Sequence, residues 1–237
     1  MPGFDAHPVR PLPGLLLPPA AAALPAATRD FFVRPTESVA RRLLGAWFVR
    51  AWRGRAYGAR IVEVEAYLGT GDAAAHSFGG RRSARVEPMY GPGGILYVFA
   101  VYGMHYCANV VTRAEGTPHA VLIRAADHPG APAPLLSGPA KFCRAMGILG
   151  RDSGRDLAAG AGWEIRPSPV PARGVVASPR IGVDYAGEAA AWPLRFSISG
   201  NPAVSRPPGR RASTGSRRPA GGAGRRAAPR PRGSARS

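Results

Sequence analysis

The sequence predicts an α+β fold: a single domain with a largely antiparallel sheet, flanking helices and a protruding β-hairpin. Three observations predict it. Runs rich in β-branched and aromatic residues recur at 46–52, 57–67, 95–102, 104–111 and 119–125, divided by short turn-forming stretches. Helical character is confined to 37–44 and 137–148. Strands and helices do not alternate, as they would in a doubly wound parallel sheet.

In chain order, residues 1–28 are a Pro/Ala/Leu low-complexity arm without a periodic apolar face, expected to be disordered. A helix follows from Glu37 to Leu44, with Thr36 as N-cap and Gly45 just beyond its end. The run Arg60-Ile61-Val62-Glu63-Val64-Glu65-Ala66-Tyr67 reads as a strand. Alternation sends Val62, Val64 and Ala66 to one face, and Ile61, Glu63, Glu65 and Tyr67 to the other. Two carboxylates and a phenol on one face suit either a solvated edge or the floor of a polar cleft. The segments Ile95–Tyr102 and His105–Val111 flank Gly103, so a hairpin is expected with Tyr102 near its tip. The helix at 137–148 begins after Gly138-Pro139, and two further strands are expected near 162–168 and 192–199. The domain therefore runs from 29 to 205, and the Arg/Gly/Pro/Ser stretch 206–237 is expected to be a disordered tail.

The 237 residues carry a formal charge of +18. Ten arginines and no acid lie beyond Ser205, which leaves about +8 for the rest. The folded part is thus basic as well, which favours a polyanionic partner, and the tail could serve as a non-specific tether to nucleic acid. Cys107 and Cys143 are too few for a disulfide scaffold and lack metal-ligand spacing, and the five histidines form no ligand cluster. No metal and no cofactor are expected. Prolines 11, 13, 18, 19 and 25 interrupt the apolar stretch near the start, which argues against a secretory signal, and no run is long and apolar enough to span a bilayer. A cytoplasmic monomer, nucleoid-associated if bacterial, with no membrane partner is expected.

Several motifs occur in a telling order. They are Glu63-Val64-Glu65-Ala66-Tyr67-Leu68-Gly69, Asp72-Ala73-Ala74-Ala75-His76-Ser77, and Gly94 through Met104. Then come Asn109, Val121-Leu122-Ile123-Arg124-Ala125, Ser137-Gly138-Pro139-Ala140-Lys141, and Arg180-Ile181-Gly182-Val183. Together, over about residues 31–205, they resemble the alkyladenine (3-methyladenine) DNA glycosylase family. The resemblance implies a curved sheet and a monofunctional, cofactor-free enzyme that acts on double-stranded DNA containing damaged purines. Such an enzyme flips the purine out and hydrolyses its N-glycosidic bond. Candidate substrates are 3-methyladenine, 7-methylguanine, hypoxanthine and ethenoadenine.

The resemblance gives Glu65 the role of general base toward a water also held by Arg124 and the backbone carbonyl of Ile181. A carboxylate beside a guanidinium stays ionised, as a base must. Tyr67, His76 and Phe99 match the stacking walls of the base pocket, and Asn109 the residue that obstructs the exocyclic amine of guanine. Tyr102 matches the side chain that wedges into the duplex where the base has left. Arene walls favour cationic N-alkylpurines through a cation–π attraction of roughly 0.5–2 kcal/mol. Lys141, the sole lysine, is a candidate phosphate contact. Glu63 matches no catalytic position and reads as supporting.

Two departures stand out. Phe99 occupies a position where the family usually has tyrosine, and the connection 127–136 is shorter than usual. A second reading follows from the short connection: a damaged-DNA-binding protein of the same fold with little or no catalysis.

Overall fold

The computed structural model describes residues 10–206. Among these residues are four α-helices, α1 (Pro19–Ala22), α2 (Arg29–Phe32), α3 (Thr36–Leu43) and α4 (Pro139–Met146). Eight strands make the sheet: β1 (Trp47–Trp52), β2 (Arg55–Tyr67), β3 (Leu96–Val101), β4 (His105–Thr112), β5 (His119–Asp127), β6 (Trp163–Arg166), β7 (Val175–Ser178) and β8 (Arg195–Ile198). The α+β expectation holds, and every strand expected from sequence is present within a few residues. The short strand β7 was not foreseen. Its four residues are half-buried or exposed, too brief a run to stand out as a pattern.

All pairings are antiparallel, in the order β3-β4-β5-β2-β1-β6, with β8 bridging β2 and β7. Strand β2 is the axis. Along one edge it pairs with β5; along the other it pairs first with β1, through Arg55–Arg60, and then with β8, through Glu63–Glu65. Helices α3 and α4 pack on one face, where Val39, Leu43, Phe142 and Met146 meet Phe48, Ile61, Val64 and Ile123. Burying such side chains contributes roughly 1.5–3 kcal/mol each before the entropy of ordering is counted.

Two local expectations are corrected. Thr36 does not cap α3. Pro35 occupies the N-cap position, and the Thr36 hydroxyl turns inward to Thr112 Oγ1 at 3.0 Å and His119 Nδ1 at 2.9 Å. Nor is the whole arm 1–28 without structure. Leu15, Ala21 and Ala27 are buried, and backbone bonds run from Leu12 to Ala145, from Leu17 to Ala56 and from Ala27 to Ile165. The arm needs no helical periodicity because it lies along existing elements and bonds to their free backbone groups. The tail expected to begin at 206 lies outside the described residues from 207 onward.

Candidate active site

Strand β2 carries an irregularity that aims its acids. Its register with β5 runs Ile61↔Ala126, Glu63↔Ala125 and then Val64↔Ile123, so Val62 is extra on β2 and Arg124 extra on β5. A bulge breaks simple alternation. Ile61, Val64 and Ala66 therefore share the main core with Val121, Ile123 and Ala126, while Val62 and Ala125 pack on the other side with Ala203. The strict two-residue pattern expected for this strand is thus wrong at Ile61 and Val62. It holds for Glu63, Glu65 and Tyr67, because the slip lies before them.

The bulges bring Arg124 between both carboxylates. Its Nε donates to Glu63 Oε1 at 3.1 Å, and its Nη1 lies 3.2 Å from Glu65 Oε1. Glu65 also accepts the backbone N–H of Ile181 on Oε1 at 2.8 Å and the phenol of Tyr67 on Oε2 at 2.9 Å. Glu63 is held further by Arg195 Nη1 on Oε1 at 2.9 Å and by the Ser205 N–H on Oε2 at 2.6 Å. Both carboxylates are fully buried. Buried charges persist only when paired and hydrogen-bonded, and these are. The Coulombic pull of Glu65 and Glu63 outweighs the burial that would lower the Arg124 guanidinium, so it is held above its ordinary value.

A cavity of about 350 Å³ opens in front of this clamp. Tyr67, His76, Phe99, Asn109, Arg124 and Ile181 all line it, so the sequence-derived pocket residues converge on one hollow. Glu65 sits immediately behind the wall made by its three partners. The rings of His76 and Phe99 meet edge-on with centroids 4.5 Å apart, and His76 Nδ1 is 2.8 Å from the Tyr97 hydroxyl. Burial, reinforced by Arg85 and Arg81, lowers the His76 pKa. Burial likewise drives the Tyr67 phenol well above its usual value, with Glu65 adding to the shift, so it remains a donor. Asn109 Nδ2 donates to the Tyr97 carbonyl at 3.1 Å. Ile181 meets Glu65 through its N–H.

Two expected residues lie apart from the hollow. Tyr102, at the hairpin tip, is 89% exposed and adopts a positive φ of 52°. Lys141 is exposed on α4, and its Nζ donates to the Pro134 carbonyl at 3.2 Å. Among the described residues no group of three His, Cys, Asp or Glu side chains is placed to hold a metal ion, and no helix is long and apolar enough to cross a membrane.

Some site residues were given no role from sequence. Arg180 forks onto Asp72 at 2.5 and 2.8 Å, both fully buried, and its guanidinium lies 4.8 Å from the Tyr67 ring centre. Burial alone would raise the Asp72 carboxyl. Hydrogen bonds from Arg180 and from the Leu68 and Ala74 N–H groups outweigh it and hold the pKa below the usual range. This pair fixes the back of the Tyr67 wall and the start of the Ile181 loop. Arg195 and Tyr97 are two more; Arg195 is the lone charged residue of β8, which was the only sequence signal for it.

Residues 30–202 match the profile of the methylpurine-DNA glycosylase family. A protein of Desulfitobacterium hafniense (strain Y51) is 43% identical over 197 residues, covering 75% of this chain and 97% of its own length. One from Anaeromyxobacter sp. (strain Fw109-5) is 46% identical over 193 residues, covering 80% of this chain and 98% of its own. A third, from Myxococcus xanthus (strain DK1622), is 44% identical over 187 residues, covering 77% and 95%. All three are named as candidate 3-methyladenine DNA glycosylases. A carboxylate clamp behind an arene-lined hollow, set in a chain that matches the family profile over residues 30–202, makes this chain a member of the methylpurine-DNA glycosylase family.

Proposed function

We propose that this protein is a monofunctional DNA glycosylase that extrudes an alkylated or deaminated purine from duplex DNA and hydrolyses its N-glycosidic bond. The single observation that carries the reading is Glu65, buried and clamped by Arg124, Tyr67 and the Ile181 N–H at the edge of the aromatic cavity. A base inside a duplex cannot reach such a hollow, so the nucleotide must leave the stack, at a cost of a few kcal/mol. Tyr102, solvent-facing at the hairpin turn, is suited to fill the gap. Tyr67, His76 and Phe99 take the purine between their rings, and Asn109, anchored to the Tyr97 carbonyl, limits the bulk accepted at one edge.

A carboxylate offers about four acceptor positions over its two oxygens. Glu65 Oε2 has one protein partner, so it retains room to accept a proton from water. That water attacks the sugar carbon as the C–N bond breaks: its proton passes to Glu65, its hydroxyl completes the abasic site, and the bond's electron pair leaves with the purine, which departs neutral where it was a cation and takes up a proton from solvent where it was neutral. Arg124 and the backbone at Ile181 orient the water. The basic surface supports binding to the phosphate backbone, and the protein works as a monomer without a cofactor.

The decisive assay is release of 3-methyladenine, hypoxanthine or ethenoadenine from DNA by wild type and Glu65→Gln. Wild type should release base and leave an alkali-labile site, while Glu65→Gln binds the same duplex and releases nothing. Borohydride should trap no covalent adduct; a trapped adduct would overturn monofunctional hydrolysis. The full burial of Glu65 favours one other reading, binding without catalysis. That reading wins where both proteins bind damaged duplex and neither releases base.

A further inference from the structure

Charge separates the candidate substrates before shape does. Purine nucleotides alkylated at a ring nitrogen are cations, whereas hypoxanthine and ethenoadenine are neutral. Two of the stacking rings already hold a guanidinium. That of Arg180 lies 4.8 Å from the centre of Tyr67, and that of Arg85 lies 5.4 Å from the centre of Phe99. Neither arginine lines the cavity, so both stand outside its walls. They differ in balance. Arg180 is forked onto Asp72 and the pair is neutral. Arg85 is exposed, donates to the Ala100 carbonyl at 3.3 Å, and has no acidic partner among the described residues. Its charge is uncancelled. A guanidinium on one side of an arene draws on the same quadrupole that a cationic base would use from the other, and like charges repel across the ring.

The charge of Arg85 is felt at the histidine as well. The Tyr97 phenol, a group with one proton to lose, has its oxygen 2.8 Å from His76 Nδ1. Burial, against the opposing pull of Arg85, pushes the Tyr97 phenol up to about 12, so it keeps that proton at neutral pH. His76 is held below the ordinary imidazole value by burial, with Arg85 and Arg81 adding to it, so a charged ring is disfavoured there. No hydrogen-bond partner of His76 Nε2 occurs among the described residues, which leaves that nitrogen free to meet the base.

We propose that Arg85 is a specificity-determining residue: its uncancelled charge beside the Phe99 ring biases the cavity toward neutral purines and against cationic ones. The proposal rests on the glycosylase reading above and names the substrate class that reading leaves open.

The test measures kcat/KM for wild type, Arg85→Gln and Arg85→Lys on four lesions. Two are cationic, 3-methyladenine and 7-methylguanine in methylated DNA; two are neutral, hypoxanthine and ethenoadenine in oligonucleotides. Arg85→Gln should raise the cationic-to-neutral ratio by about 3- to 10-fold, the scale of one like charge acting across a ring near the surface. Arg85→Lys, which keeps the charge, should stay within about twofold of wild type. An unchanged ratio in Arg85→Gln overturns the proposal, including where all four rates fall together, as loss of a phosphate contact would make them. An equal shift in Arg85→Lys overturns it too. Wild type inert on all four lesions sinks the glycosylase reading itself, a result distinct from active enzymes with an unaltered ratio.

Discussion

The two sides of the cavity are held by different forces. On the β2–β5 side, the charged groups of the clamp are buried and cross-linked: Glu63 and Glu65 share Arg124, Glu63 takes Arg195 as well, and Asp72 forks with Arg180. On the β3 side, Tyr97, Phe99 and His76 meet through ring contacts, with one phenol–imidazole bond among them. Removing one member of the ionic side leaves an uncompensated buried charge, so substitutions there should be severe in chemistry, stability or both. The aromatic side depends on area and shape, which tolerate exchange. The comparison implies that reactivity is fixed on one wall while substrate preference is adjustable on the other.

The hardest strike at the ionic wall is Glu65→Gln. The amide keeps the size, and with its oxygen toward the Ile181 N–H its NH2 can donate to the Tyr67 oxygen, but it cannot take a proton from water. Base release should fall by at least about 10²-fold, the usual scale for a general base, while duplex affinity changes little. Single-turnover release and a gel-shift titration on the same oligonucleotide measure both. A loss of affinity matching the loss of rate would erase the division between the walls.

Asp72→Asn tests stability on the same wall. It strands the fully buried Arg180 guanidinium, and breaking a buried pair in this way costs about 3–5 kcal/mol. The pH dependence has a definite sign. Because the folded-state pKa of Asp72 is depressed, its stabilisation is complete above the unfolded value, near ~3.9, and is lost as pH falls through the folded value. Urea unfolding should therefore show a large wild-type advantage at neutral pH that shrinks in strong acid. An advantage that persists undiminished there would assign the destabilisation to packing and not to charge.

The strands, the hairpin and the convergence of Tyr67, His76, Phe99 and Asn109 were legible in the sequence because each rests on local periodicity or on motif order. The ionic wall was legible only in part. Glu65 and Arg124 stood out, but the pairing of Arg124 with Glu63 depends on a bulge in each of two strands, and alternation alone mis-set Ile61 and Val62. Arg195 and Arg180 reach their acids across sequence separations of 132 and 108 residues, which no window-based pattern detects. The arm before residue 28 was misjudged for a related reason: its burial comes from backbone bonds to distant elements and not from its own periodicity.

Tyr102 lies off both walls, and its substitution should separate binding from chemistry. Truncation to alanine removes an exposed ring at a positive-φ turn, so the fold should be unaffected. If the ring fills the stack vacated by the purine, its loss costs about 1–3 kcal/mol of stacking. Affinity for damaged duplex should fall accordingly, with excision from single-stranded DNA unchanged. Equal losses on single and double strands would remove the wedge from the mechanism.

The mildest change sharpens the comparison most, because it alters the adjustable wall alone. Phe99→Tyr adds one hydroxyl to a half-buried ring that already contacts His76, Tyr97 and Arg85. Stacking area is nearly unchanged, so thermal stability should move by no more than about 0.5 kcal/mol. A new hydrogen bond to a purine acceptor is worth about 0.5–1.5 kcal/mol, which limits any gain to roughly tenfold and confines it to bases that offer that acceptor. Rates on hypoxanthine should rise while those on lesions without a matching acceptor stay level. A uniform change across lesions would mean that Phe99 acts on the clamp behind Tyr67 and not on the base, and the two walls would then have to be treated as one coupled unit.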